Sequence, residues 1–436
     1  MPTTLFRGGH LVDPASGHDG LADVLVEDDS IAEIGVGGGL TASGEVVDIL
    51  ECDGLVIAPG LVDLHTHLRE PGREDKETVE TGTRAAAAGG FTAVCPMPNT
   101  EPVADHAGIV LEVRALAEKA GLCDVHPAAA ITRGLEGQEL VDIGELTETG
   151  VRLFTDDHRS VQSARVMRLA LEYAKAFDVV ISQHAQDDTL WEGGQMHEGE
   201  YSALLGLRGI PSESESVVAA RDIQLAGLTG GRLHLTHVSA AETVRLIRDA
   251  ADRQVPLTAD VTPHHVALTD AELVSYDTAF KVNPPLRSAE DRDALRSGLA
   301  DGAIDAVATD HAPHAPEDKE QELDQAPPGT IGLETALAVV LTELVEPGII
   351  TLDRLIRAMS TVPARILRLD DQGGPVTPGR PANLVVFDPA AEWAVGERPS
   401  YSRSRNSAFT GRTLRGEVVH TMLRGQLTVR DGAPTR

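Results

Sequence analysis

The stretch Leu55-Val-Ile-Ala-Pro-Gly-Leu-Val62 runs straight into Asp63-Leu64-His65-Thr66-His67-Leu68-Arg69-Glu70-Pro71-Gly72. A short, almost wholly apolar run of this kind reads as a strand buried on both faces. Where it ends, metal-binding residue types begin. Alternate residues of an extended chain share a face, so His65 and His67 point the same way, and Arg69 continues their alternation. Imidazole nitrogens suit Zn²⁺ at about 2.0–2.1 Å. An arginine beside such a centre, with its planar fork matched to a carboxylate, points to an anionic substrate.

Working outward, seven more β-type runs follow: Thr92–Met97, Val125–Ile131, Val151–Phe154, Val179–Ser182, Leu233–Val238, Leu257–Val261 and Ala306–Ala308. Between them lie Ala107–Ala120, Ala164–Ala176, Ser216–Ala226 and Ala241–Ala251, with apolar residues at the three-to-four spacing of amphipathic helices. Alternating strand and helix implies parallel pairing, and eight such units imply a (β/α)₈ barrel over 56–369. Short strands also fill the two ends, Leu21–Val26 and Ile31–Ile34 at the start, Ala382–Phe387, Val418–Leu423 and Leu427–Val429 at the finish. They are expected to meet as one small composite β-domain, 1–55 with 370–436.

Barrel active sites form at the C-terminal strand ends. There this chain places Asn99 after the second run, Asp156-Asp157 after the fourth, His184 after the fifth, His237 after the sixth and Asp310 after the eighth. Four imidazoles make a natural set for one or two divalent ions. Either aspartate of the Asp156-Asp157 pair could bridge two metals, although such pairs are also common in turns. Asp310 could ligate a metal and take a proton from its water, or simply cap a helix. His234 falls on the opposite strand face from His237, and His264-His265 are candidates for an outer layer. Asn99 and Asn283 could donate amide hydrogen bonds, and Pro313 and Pro316 flank and stiffen the loop that carries His314.

The chain has 436 residues, with 37 Lys+Arg against 68 Asp+Glu and a net charge of −31. That excess disfavours nucleic-acid or anionic-membrane surfaces. Aromatics are 3% of the residues, so Leu, Val, Ile and Ala must fill the core. No apolar stretch is long enough to span a membrane, the N-terminus lacks a signal-peptide pattern, and three scattered cysteines point to a reducing, cytoplasmic setting. Gly37-Gly38-Gly39 lacks the strand-to-helix context of a dinucleotide site, and neither a Walker A motif nor a G-x-S-x-G elbow occurs.

The segments Asp63–Thr92, Pro96–Pro102 (PMPNTEP), Val282–Arg287 (VNPPLR), Ala308–His314 (ATDHAPH) and Gly332–Ala336 (GLETA) resemble the cyclic amidohydrolase branch of the amidohydrolase superfamily, most closely the class I dihydroorotases. The resemblance covers most of the chain. It implies zinc, one or two ions, held by His65, His67 and Asp310 at one position and by His184 and His237 at the other. Asp157 matches the bridging carboxylate by its distance from the His-x-His pair. Many relatives, hydantoinases included, use a carboxylated lysine there, and Val151–Ser160 contains no lysine. Substrate contacts would map to Arg69, Asn99, Asn283 and His314, with backbone contacts at Pro328-Gly329. Two departures stand out. His158 replaces the usual Gly after Asp-Asp, and Pro327-Pro328-Gly329-Thr330 replaces the usual P-F-G-I.

The activity implied is the reversible cyclisation of N-carbamoyl-L-aspartate to L-dihydroorotate in pyrimidine synthesis, with Asp310 as general acid and base. The implied assembly is a homodimer that could associate with aspartate transcarbamoylase. An allantoinase or hydantoinase would share the barrel and metals without needing a carboxylate clamp. A metal-free scaffold would have lost ligand positions, which this chain keeps.

Overall fold

The computed structural model describes residues 3–40 and 48–436; residues 1, 2 and 41–47 of the expected N-terminal segment lie outside the described residues. From the N-terminus come β1 (Thr3–Asp13), β2 (His18–Glu27), β3 (Ser30–Val36), β4 (Asp48–Glu51) and β5 (Val56–Pro59). Barrel strands follow: β6 (Leu61–Thr66), β7 (Phe91–Pro96), β8 (Asp124–Val125), β9 (Leu153–Phe154) and β10 (Val180–Gln183). A short parallel pair, β11 (Met196–His197) and β12 (Gly209–Ile210), interrupts them. The barrel resumes with β13 (Arg232–Leu235), β14 (Leu257–Val261) and β15 (Ala306–Val307), and the chain ends in β16 (Leu384–Ala394), β17 (Thr413–Leu423), β18 (Gln426–Arg430) and β19 (Ala433–Pro434).

The first apolar run divides into two strands with different partners. Val56–Pro59 pairs with β1 and β16, whereas Leu61–Thr66 pairs with β7. Gly60 lies between them. A Cβ there would fall 2.2 Å from Thr92 Oγ1, so only glycine admits so close a packing of the turn.

β6, β7 and β8 form one parallel sheet, and β9, β10, β13, β14 and β15 another. Parallel bridges Ala129–Phe154 and Thr66–His311 join them at both seams, closing an eight-stranded ring. Adjacent residues face opposite layers, as strand geometry requires. Val62, Leu64, Ala93, Cys95, Leu153, Val180, Ala306 and Ala308 form the inner cluster. Leu61, Val94, Phe154, Ile181 and Val307 belong to the larger outer cluster shared with the helices. The helices Ala107–Ala120, Ala164–Phe177, Glu213–Thr229 and Ala241–Asp252 occupy the segments expected from their periodicity.

The terminal strands assemble in the order β19-β18-β17-β16-β5-β1-β2-β3, with β4 also on β1. One apolar cluster, including Phe6, Val24, Ile31, Ile57, Leu384, Val386 and Met422, draws on both ends of the chain. No helix among the described residues is long and apolar enough to cross a membrane.

Candidate metal centre and substrate pocket

His65, His67 and Asp157 each present one potential ligand atom, all within 4.8 Å of one another. His65 Nε2 lies 3.0 Å from Asp157 Oδ1 and 3.5 Å from Asp310 Oδ1, and His67 Nε2 lies 3.4 Å from the same Asp310 oxygen. The rings of His65 and His237 are 5.0 Å apart, and those of His184 and His237 4.7 Å. Five strand ends, those of β6, β9, β10, β13 and β15, thus bring six buried side chains to one place.

The hydrogen bonds around this cluster fix which ring nitrogens are free. Thr236 Oγ1 donates to Asp260 Oδ2, so it accepts from His65 Nδ1 at 3.0 Å, and His65 Nε2 is left toward the cluster. Asn99 donates through Nδ2 to Asp157 Oδ2, so its Oδ1 accepts from His67 Nδ1 at 3.1 Å, leaving His67 Nε2. Gln186 donates to Asn283 Oδ1, so its Oε1 accepts from His184 Nε2 at 3.0 Å, and His184 Nδ1 faces His237 Nε2 at 3.2 Å. His65 Nε2 and His237 Nδ1 are buried without a hydrogen-bond partner. Imidazole nitrogens turned toward each other and toward two carboxylates suit a cation, so these residues fit a metal ion.

The buried carboxylates and imidazoles also shift one another's proton affinity. Burial would raise the carboxyl of Asp157, but His67, His158 and His65 hold it well below the usual range. Asp310 is likewise held low against burial by His67, His65 and His237. Burial pushes the His237 imidazole far down, helped by His184 and His65. His65 goes the other way, to about 9, because Asp157 and Asp310 outweigh its burial. Arg69, Asp157, His237 and Asp310 all have positive φ, of 60, 52, 40 and 45°. Such conformations cost of order 1–3 kcal/mol each and persist where surrounding contacts impose them. Here Asp260 accepts from the His237 amide at 2.6 Å, and Thr155 Oγ1 from the Asp157 amide at 2.9 Å.

Asp156 serves the scaffold. It accepts from the amides of Ile131 and Thr132 at 2.9 Å and from Thr132 Oγ1. His234 bonds Asp260 and Thr258, and His265 spends both ring nitrogens on Thr262 and the Pro284 carbonyl. These three stand outside the cluster. Thr236, Asp260 and Gln186, which orient the imidazoles, escaped the sequence reading. Their one visible signal is a polar residue inside or just after an apolar strand.

The cluster floors a cavity of about 1040 Å³ whose wall includes Arg69, Asn99, His158, Asn283, His314, Pro328 and Gly329. Arg69 Nε donates to the Pro313 carbonyl at 3.2 Å, and His314 Nε2 sits 2.9 Å from the Pro328 carbonyl. Gly329 has φ +139°, and a Cβ there would come within 2.8 Å of His314 Nε2. His158, half exposed at the rim, lies 3.4 Å from Asp157 Oδ2.

A barrel with this cluster at its strand ends can hold a metal ion at the floor of a substrate-sized pocket. A family described as Dihydro-orotase-like matches residues 54–243. The dihydroorotase of Streptomyces coelicolor is 49% identical over 437 residues, 100% of this chain and 100% of that protein. The dihydroorotase of Mycobacterium tuberculosis is 49% identical over 412 residues, covering 94% of this chain and 95% of the other. Among solved structures, L-hydantoinase (dihydropyrimidinase) from Arthrobacter aurescens superposes with a TM-score of 0.89 at 26% identity, covering 100% of this chain and 98% of that one. Within the cyclic amidohydrolases of the amidohydrolase superfamily, the chain belongs to the dihydroorotase family.

Proposed function

We propose that the chain is a class I dihydroorotase that interconverts N-carbamoyl-L-aspartate and L-dihydroorotate, with Zn²⁺ as its metal. The observation that carries this reading is the carboxylate of Asp157, where a carboxylated lysine would otherwise stand, set against His65 and His67 beside a pocket wall bearing Arg69 and His314. One or two ions would be held by His65, His67, Asp157, Asp310, His184 and His237. When bound, the metal supplies Lewis acidity, lowering the pKa of water toward about 7 and polarising the scissile carbonyl.

The protein's own groups do the rest. In the hydrolytic direction water adds to the ring carbonyl as the bond from that carbon to the ring nitrogen breaks. Asp310, held as a carboxylate by the imidazoles around it, takes the proton from water and delivers it to the departing nitrogen. Cyclisation runs the same proton backwards. Arg69, Asn99, Asn283 and His314 would grip the substrate, with backbone contacts from Pro328-Gly329. Anchoring the carboxylate fixes the ring over the cluster, and orientation of that kind is worth several kcal/mol of barrier.

The division into a composite β-domain (1–55 with 370–436) and a barrel (56–369) belongs to this proposal, with Val56–Pro59 as the strand that joins them. So do a homodimer, association with aspartate transcarbamoylase and a cytoplasmic location. The decisive experiment assays zinc-loaded protein side by side on dihydroorotate, carbamoyl aspartate, allantoin and hydantoin. Turnover of the first two alone supports the proposal. Preference for hydantoin, the reading favoured by the Arthrobacter aurescens structural likeness, overturns it.

A further inference from the structure

Behind the pocket wall lies a buried lysine that the mechanism does not use. Lys76 Nζ is 3.3 Å from His314 Nδ1 and 2.7 Å from Asp318 Oδ2. Its backbone is pinned by Ser404 Oγ, which donates to the Lys76 carbonyl at 2.7 Å. Asp318 Oδ2 is 3.7 Å from His314 Nδ1, beyond hydrogen-bond reach, so the hydrogen-bonding neighbour of Nδ1 is the lysine.

An ammonium has only hydrogens to offer, and a backbone carbonyl has only lone pairs. Burial, reinforced by Arg69, Lys76 and Lys319, pushes His314 down to about 2, so its ring carries one hydrogen. With Lys76 donating to Nδ1, that hydrogen sits on Nε2, where it meets the Pro328 carbonyl at 2.9 Å. Both neighbours demand the same tautomer. A substrate carboxylate, like the Pro328 carbonyl, can only accept. In the opposite tautomer a lone pair would face the carboxylate and repel it.

We propose that Lys76, oriented by Asp318, is a positioning residue that locks His314 as an Nε2–H donor, and so makes the pocket wall selective for a carboxylate-bearing ring. Between turnovers the Pro328 carbonyl stands in for the ligand and keeps that donor satisfied. The substrate displaces it. This inference rests on the proposed role of His314 in substrate binding.

The test uses the zinc-loaded full chain labelled with ¹⁵N-histidine, with the His314 signals assigned by their loss in His314→Asn. The wild type is expected to show a protonated Nε2 and a bare Nδ1. Lys76→Met leaves Nδ1 facing the Asp318 carboxylate 3.7 Å away, an acceptor that competes with the Pro328 carbonyl for the ring hydrogen. It should therefore shift part of His314 toward the other tautomer and raise KM for dihydroorotate about tenfold, with kcat within about twofold. Lys76→Arg, which can still donate, should restore both. A protonated Nδ1 in the wild type overturns the inference, as does a Lys76→Met protein with unchanged tautomer or unchanged KM. The wild-type spectrum decides the tautomer even if Lys76→Met fails to fold. A protein that turns over no dihydroorotate defeats the proposed function instead, while the spectrum still reads the Lys76–His314 bond.

Discussion

In the proposed mechanism Asp310 holds two jobs at one carboxylate, and substitution can separate them. Asp310→Asn keeps the size and one oxygen near His65 and His67 but cannot carry a proton between water and the ring nitrogen. We expect kcat to fall about 10³-fold or more, with zinc content nearly unchanged by elemental analysis. Near-normal turnover would refute the acid–base role. Arg69, on the same proposal, acts on binding instead. A fork-shaped, charge-assisted contact is worth about 1.5–3 kcal/mol, so Arg69→Ala should raise KM for dihydroorotate by roughly one to two orders of magnitude with a smaller effect on kcat; an unchanged KM would remove the carboxylate clamp from the account. At this scale the ligand types were legible because His-x-His and the Ala308–His314 box announce themselves at strand ends. The choice of Asp157 over Asp156 was legible only through the family resemblance, by its distance from the His-x-His pair. It depends on which neighbour turns inward, and that is decided by the positive φ of Asp157 and by the amides of Ile131 and Thr132 claiming Asp156.

Among the elements, the loop at Pro327–Thr330, where the family usually reads P-F-G-I, is firmly held. Lys319 Nζ donates to the Pro327 carbonyl at 2.9 Å and to the Gly329 carbonyl at 3.0 Å, and the Gly329 amide donates to the Lys281 carbonyl at 2.8 Å. Burial, with Lys281 nearby, pulls Lys319 from 10.5 to about 7. Between about pH 7 and 10 the unfolded chain therefore holds a proton that the folded chain has lost. Stability is expected to rise with pH across that window. The guanidinium unfolding midpoint of the wild type should gain on that of Lys319→Met between pH 7 and 9; parallel curves would show that the ammonium stays charged. The strands were legible where apolar runs are long. β1 was missed because Gly8-Gly9 breaks its alternation at the point where its register with β2 shifts. The division of Leu55–Val62 was invisible because one apolar run can serve two sheets when a glycine lets it turn.

For the molecule as a whole, proposed ligands separated by most of the sequence, from His65 to Asp310, meet in a ring whose seams are single bridges. An ion held there would tie both sheets of that ring together. Ligand binding stabilises by about 4 kcal/mol at roughly 1,000 times Kd, so stripping zinc with a chelator should lower Tm by several degrees in calorimetry, and adding zinc back should restore it. An unmoved Tm would mean that the cluster holds no ion in the folded protein. The closing of the terminal sheet by both ends was foreseeable as a likeness of composition, but its strand order was not, since β16 finds β5 through register and twist.

That pairing also sets an order of events during synthesis. β5 emerges from the ribosome roughly three hundred residues before β16, its antiparallel neighbour. At about 5–20 residues per second the delay is on the order of tens of seconds. Throughout it the nascent chain presents an uncovered apolar edge next to the segment that bears His65 and His67, and such an edge invites wrong pairing with other chains. A strand made late thus seals one made early, and a ribosome that stalls between them leaves a barrel that is written but whose flank is open.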